Sequence, residues 1–331
     1  MALAARTEVR PSIDETSLAL TVAEVASLTQ GVRHVRFTDP ARRTLPSFTP
    51  GSHLVLWCGT DADGRPRRNA YSLTGPEFEP DHYSISVRLD EHGRGGSRWV
   101  HELEVGQVVR AGMPRSAFAP VLTARHHVLV AGGIGVTPIL SHARAARQWG
   151  RSFEVHYIFR DGDGPHLENL RELCRDRLRT YNTADAFWSH MEPALLDQPL
   201  GTHLYVCGPS GLIDALTGRA RHAGWPDARL HYEHFGVGEL DPGTPFTAHL
   251  RRTGVDVPVD SGVSLLEALE SEGVAVPSLC RQGVCGECRL PVRGGGVDHR
   301  DLYLSEAEKA AGDCMMPCVS RARGDRLELD L

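Results

Sequence analysis

Between about Leu18 and Phe118, apolar and polar residues alternate in short runs separated by turn residues: Val32–Phe37, His53–Trp57, Tyr83–Leu89 and Gln107–Ala111. A period of two marks half-buried strands, so this stretch predicts an antiparallel sandwich or barrel. From His126 to Phe235 the texture changes. Val128–Ala131 is a continuous apolar run, Pro138–Trp149 reads as a helix, and Phe153–Phe159 and His203–Cys207 read as further strands. Strands alternating with helices imply a mostly parallel, doubly wound sheet.

Gly236–Thr244, rich in Gly, Pro and acidic residues, has the composition of a linker. Beyond it, Phe246–Leu250 and Val255–Val259 read as strands about a turn at Arg252–Gly254. In Ser264–Glu272, Leu265, Leu266 and Leu269 share one helical face, and Ser264 with Glu267 forms a capping-box pattern. Such a cap contributes about 1 kcal/mol. The expected division is 12–120, 121–236, a linker at 237–245, and 246–331, with no internal repeat.

Length agrees, because 331 residues exceed what one hydrophobic core usually spans. A net charge of -6 without a basic stripe argues against nucleic-acid binding, which needs clustered cations to neutralise phosphates. Met1–Pro11 has no apolar run of signal-peptide length, and nothing later approaches a membrane span. The expectation is a cytoplasmic protein with no membrane partner. Eight cysteines in so long a chain do not suggest a disulfide scaffold, and five of them fall between Cys280 and Cys318.

Cys280, Cys285 and Cys288 lie in PSLCRQGVCGECRL, and Cys318 follows in MMPCVSRA. CxxxxCxxC with a distant fourth cysteine is the spacing of a plant-type [2Fe-2S] cluster. Each iron takes two thiolates, and a loop wrapping three sulfurs must bend sharply; Gly283 and Gly286 supply the bends. A zinc site pairs its cysteines with short gaps in both halves, which fits poorly. Cys314 competes with Cys318 for the fourth position, while Cys58 and Cys174 stand singly and read as small buried hydrophobes.

Upstream, Gly132-Gly133-Ile134-Gly135-Val136-Thr137-Pro138 joins a strand to a helix, with Thr137 as the expected N-cap and Pro138 in the first turn. Glycine amides and a helix N-terminus make a pyrophosphate site. Cys207-Gly208-Pro209-Ser210 ends another strand, expected toward the sheet's other edge, where ligands bind in open α/β folds. In the first unit, Arg68-Asn69-Ala70-Tyr71-Ser72-Leu73 follows a basic turn, and Gly93-Arg94-Gly95-Gly96-Ser97 offers amides to an anion.

The order of these pieces resembles the phthalate dioxygenase reductase family, which includes vanillate demethylase reductases. The likeness spans nearly the whole chain: YSL at Tyr71–Leu73, GRGGS at Gly93–Ser97, VAGGIGVTP at Val130–Pro138 and FRD at Phe159–Asp161. It continues with CGP at Cys207–Pro209, YEHFG at Tyr232–Gly236, the cysteine loop, DHRD at Asp298–Asp301 and CVSRA at Cys318–Ala322. The resemblance implies a flavin-binding antiparallel β-barrel, a ferredoxin-reductase-type nucleotide-binding α/β domain and a C-terminal plant-type ferredoxin (β-grasp) domain, with FMN rather than FAD. It implies that Tyr71 and Ser72 lie along the flavin, Arg88, Gly95, Gly96 and Ser97 lie near its phosphate, and Phe235 closes its other side. Thr137 then reaches flavin and nicotinamide, while Gly132, Gly133, Gly135 and Pro138 form the pyrophosphate turn. Cys207 lies near the nicotinamide, with Gly208 and Pro209 after it, and Asp161 toward the adenosine ribose. The cluster ligands carry over to Cys280, Cys285, Cys288 and Cys318. One position departs: where the family has Arg two residues before the Tyr, this chain has Asn69, so the phosphate contact is expected from Arg68 by a one-residue shift, or else from Asn69 with weaker charge complementarity.

The implied activity is a converter. NADH delivers two electrons as a hydride, the cluster passes them singly, and a terminal oxygenase, expected to be of the Rieske non-haem iron type, receives them. Asp161 favours NADH because a carboxylate suits a ribose 2′-hydroxyl, although Arg160 beside it argues the other way. Alternatives are an FAD enzyme, a cytochrome P450 partner, or a non-catalytic electron carrier or redox sensor. A monomer is expected, with the partner surface near the cluster and Asp298 and Glu287 as steering charges.

Overall fold

The computed structural model describes residues 17–60, 66–91, 93–116, 118–160, 164–197, 199–236 and 240–331. The first unit is a barrel of seven antiparallel strands: six run in the order Pro66–Ser72, Ser52–Thr60, Val108–Gly112, Ser17–Thr29, Val32–Thr38 and Tyr83–Arg88, and the short Arg115–Ser116 pairs with Ser52–Thr60. A bridge between Leu73 and Ile85 joins the last of the six back to the first. Alternation explains the closure: Val35, Phe37, Leu54, Leu56 and Ile85 point inward and are fully buried. The Arg68–Leu73 stretch, which follows the basic turn, is mostly strand. The Gly-Gly-Ser turn opens a short helix, Gly96–His101, laid against the barrel.

The second unit is a five-stranded parallel sheet, ordered Leu178–Tyr181, Phe153–Ile158, His126–Gly132, Thr202–Cys207 and Leu230–Glu233. Its central strands are continuously apolar because both faces are covered. Leu129, Ala131, Val155 and Tyr157 meet helices Val136–Gln148 and Leu167–Cys174 on one side. Val128, Val130, Leu204 and Val206 meet helices Ala184–Leu196 and Ser210–His222 on the other. Thr202–Cys207 is therefore an interior strand beside His126–Gly132, which corrects its expected position toward an edge.

The third sheet is ordered Val255–Val259, Phe246–Leu250, Arg326–Leu329, Leu290–Gly294 and Cys314–Met315. The Phe246–Leu250 and Arg326–Leu329 pair is parallel and the other pairs are antiparallel, the arrangement of a β-grasp. Helix Leu265–Ser271 covers it with Leu265, Leu266 and Leu269 fully buried, and both halves of the Ser264–Glu267 capping box are made.

Barrel and parallel sheet meet along helix Val136–Gln148. The Gly51 amide donates to Ser141 Oγ at 3.3 Å and His142 Nε2 donates to the Phe118 carbonyl at 2.8 Å. Gly51 has φ +76°, and a Cβ there runs into the Phe118 carbonyl, so only glycine fits. Among the described residues, no helix is long and apolar enough to cross a membrane.

Candidate functional site

Two glycine turns that are far apart in sequence become one surface. A Cβ on Gly208 stands 3.0 Å from Gly132 Cα, and one on Gly132 stands 2.8 Å from Pro209 Cδ. One on Gly135 drives into the Cys207 carbonyl, while Gly133 needs glycine for its φ of +54°. The two turns touch where the strand order reverses, the crevice in which open α/β sheets bind ligands. Thr137 is not the N-cap. Gly133–Gly135 forms a tight turn of its own, so Gly135 takes that place; Thr137 lies inside the helix, 2 % exposed, with Oγ1 donating to the Ile134 carbonyl at 3.1 Å. Pro138 stays in the first turn, where its missing N–H costs nothing, and Pro209 caps the helix Ser210–His222.

Cys207 is fully buried, and burial pushes its thiol well up, with Glu233 adding to the effect. Glu233 stands level with Cys207 on the neighbouring strand. Part of its surface is open, yet its Oε2 is shut off from solvent without a partner, and burial pushes the carboxyl up to about 8. Burial thus favours the protonated acid at this position, level with Cys207. The YEHFG motif contained it, but its role needed the neighbouring strand to become visible. Phe235, two residues on, is 39 % exposed. Asp161 lies outside the described residues.

On the barrel, strand Pro66–Ser72 sends alternate side chains to opposite faces. Arg67, Asn69 and Tyr71 share the face of Leu56 and Leu54, and Arg68, Ala70 and Ser72 share that of Trp57, Val55 and His53. Asn69 Nδ2 is 2.5 Å from where a Cβ on Gly96 would stand, and Arg67 Nη1 is 3.0 Å from that point on Gly95, whose φ is +89°. Arg68 instead lies 6.0 Å over the Trp57 ring. By the period of two, Arg67 and Asn69 reach the glycine turn and Arg68 does not. Ser97 Oγ accepts from the Asp90 amide at 3.0 Å, Ser72 is buried, and Arg88 is exposed at its strand's end opposite Val32.

A hollow of about 340 Å³ opens here, lined by Arg67, Arg94, Arg98, Gly95, Trp99 and Cys58 among others. The Tyr71 hydroxyl, beside Cys58, is buried without a partner in hydrogen-bond geometry. Three guanidiniums and a glycine turn suit a polar phosphorylated ligand such as FMN.

In the third unit the four cysteines come together as two pairs, Cys280 with Cys285 and Cys288 with Cys318. Among the described residues, no three His, Cys, Asp or Glu side chains converge as one metal ion requires. Two pairs match the two thiolates that each iron of a [2Fe-2S] cluster takes. Gly283 at φ +71° and Gly286 at φ +77° turn the loop so that amides face sulfur; Gln282 N donates to Cys280 Sγ at 3.3 Å. The Cys285 contact and these amides hold Cys280 low, at about 6, while that contact and burial push Cys285 up. Cys314 is elsewhere, buried beside Arg289 and Asp313.

The DHRD segment braces this loop. Buried Asp301 accepts from the Leu304 amide at 2.8 Å and Ser320 Oγ at 3.2 Å, and the Leu302 amide donates to the Gly283 carbonyl at 2.9 Å. The Tyr303 ring covers Gly286, leaving no room for a Cβ. Asp298, expected as a steering charge, is paired with Arg300 at 2.6 Å, and Glu287 is exposed.

The three sites converge on the cluster loop. Arg68 Nη2 donates to the Ser278 carbonyl at 2.7 Å, and Arg94 Nη2 donates to the Arg281 carbonyl, so barrel arginines grip the chain on both sides of Cys280. Gln282 Cδ lies 3.3 Å from where a Cβ on Gly236 would stand, next to Phe235.

Comparison with known proteins agrees with this construction. Residues 108–230 match the family described as dimethylamine monooxygenase subunit DmmA-like, N-terminal domain, and residues 248–323 match the 2Fe-2S iron-sulfur cluster binding domain. The heme-dependent oxidative N-demethylase beta subunit of Ectopseudomonas mendocina is 40% identical, with 96% of this chain and 99% of that protein covered. Phthalate dioxygenase reductase of Burkholderia cepacia is 36% identical, with 95% and 97% covered. A solved phthalate dioxygenase reductase, described as a modular structure for electron transfer from pyridine nucleotides to [2Fe-2S], aligns at a TM-score of 0.77 and 34% identity, with 95% and 98% covered.

Proposed function

The chain belongs to the phthalate dioxygenase reductase family, and from that premise we propose that it is the NADH-dependent reductase component of an oxygenase system. The observation that carries the reading is the grip of Arg68 and Arg94 on the carbonyls flanking Cys280, which joins the barrel to the cluster loop. FMN held in the barrel hollow beside Arg67 and Gly95 would supply the conversion of a hydride from NADH into single electrons for a [2Fe-2S] cluster held by the four cysteines.

The chain's own residues bind and orient. Gly132, Gly133, Gly135 and Pro138, with Gly208 and Pro209, seat the dinucleotide; Thr137 and Cys207 border the nicotinamide, and Phe235 covers the flavin. Tyr71, Ser72, Gly95, Gly96, Ser97 and Arg88 belong to the flavin side, and Asp161 to the ribose. Cys280, Cys285, Cys288 and Cys318 hold the irons, and ring orientation is the main catalytic contribution. The proposed units are 12–120, 121–236 and 246–331, joined by 237–245, in a cytoplasmic monomer.

The partner is a terminal oxygenase, and a Rieske-type iron protein is the reading carried from sequence. Relationship to the heme-dependent demethylase subunit favours a second, a haem-containing amine demethylase. Anaerobic NADH is expected to bleach the flavin and then raise the electron paramagnetic signal of a reduced [2Fe-2S] cluster. A chain carrying zinc, or a flavin left oxidised by NADH, overturns the proposal. Mixing the reduced protein with each partner type separates the two readings by which iron takes the electron.

A further inference from the structure

Strand Pro66–Ser72 carries two adjacent arginines, and a strand necessarily sends them to opposite faces. Arg67 points with Asn69 and Tyr71 toward the Gly95–Gly96 turn, while Arg68 points with Ser72 away from it and ends on the Ser278 carbonyl of the cluster domain. The residue two before Tyr71 is the neutral Asn69, packed against Gly96; Arg67 is two further along the same face, about 7 Å back. An arginine side chain spans that distance. Of the other guanidiniums lining the hollow, Arg94 donates to the Arg281 carbonyl and Arg98 to the Glu91 carbonyl at 3.2 Å. Arg67 is the one placed against the glycine turn itself. A phosphate dianion entering a partly dry hollow needs a fixed cation, and a planar guanidinium fork matches its oxygens.

We propose that the two arginines divide two tasks: Arg67, with Asn69 as neutral second donor, holds the flavin's terminal phosphate, and Arg68 positions the cluster domain against the barrel. The proposal rests on the reading of the barrel as a flavin site. It names binding and positioning residues and requires no chemistry beyond that reading.

The test compares FMN with riboflavin, which differs only by the phosphate, by fluorescence titration of the full chain depleted of flavin but retaining its cluster. Arg67→Gln is expected to weaken FMN by about ten- to a hundredfold while leaving riboflavin within about twofold. Adding Asn69→Arg to that variant is expected to restore most of the FMN preference. Arg68→Gln is expected to keep the FMN-to-riboflavin ratio and to slow cluster reduction after flavin reduction about tenfold, read by stopped-flow absorbance. Retention of the cluster's visible circular dichroism shows that each variant is folded. A ratio unchanged by Arg67→Gln, or lowered equally by Arg68→Gln, overturns the division of tasks. A parent chain that binds neither flavin overturns the underlying flavin reading instead.

Discussion

The cluster loop and the nucleotide cradle solve the same problem, bringing backbone amides to an anionic group, by opposite routes. The cluster loop is local: three of its cysteines lie within Cys280–Cys288, and two glycines with positive φ curl the chain around them. The cradle is assembled from two distant turns, where Gly132 and Gly135 press on Gly208 and the Cys207 carbonyl. A local site announces itself by spacing, whereas an assembled one depends on the sheet that brings its halves together. Damage should therefore stay confined to one site in each case.

The largest expected effect is from Cys285→Ser. It should abolish the [2Fe-2S] signal and lower cytochrome c reduction by more than about a hundredfold. Ferricyanide reduction, fed from the flavin, should stay within about twofold of the parent; if it falls as far as cytochrome c reduction, the two sites are not separable.

Gly135→Ala breaks the other side of the comparison. Its methyl meets the Cys207 carbonyl, an overpacking that costs about 1–3 kcal/mol and pushes the two turns apart. NADH-driven flavin reduction should fall about ten- to a hundredfold with the cluster spectrum intact. Loss of the cluster instead would contradict the independence argued above.

The smallest effect concerns pH. Glu233 titrates at about 8 when folded against an ordinary 4.5, so the native chain binds this proton more tightly than the unfolded chain. Stability should fall as pH rises from about 4.5 to about 8 and level off above. Glu233→Gln removes the titration, so it should gain on the parent by on the order of 1–3 kcal/mol at pH 9 and little at pH 5. Melting curves at both values test this, and an equal shift at both contradicts the assignment of the buried carboxyl.

Legibility followed the same division. The capping box at Ser264 and Glu267, the bends at Gly283 and Gly286, and the strands Phe246–Leu250 and Val255–Val259 could all be read because each depends on near neighbours. The strand Pro66–Ser72 was hidden by its arginines, because a strand beside a polar ligand hollow need not carry an apolar face. Thr137 looked like a cap from its residue type, but the tight turn Gly133–Gly135 starts the helix earlier.

By itself the amino-acid order determined three units, four thiols at cluster spacing and two glycine turns, because hydrophobic period and residue spacing act over a few positions. Tertiary structure alone decided that Arg67 and Arg68 face different neighbours and that the Glu233 carboxyl is buried level with Cys207. Those outcomes depend on strand register, burial and packing between segments distant in the chain, and folding sets all three together.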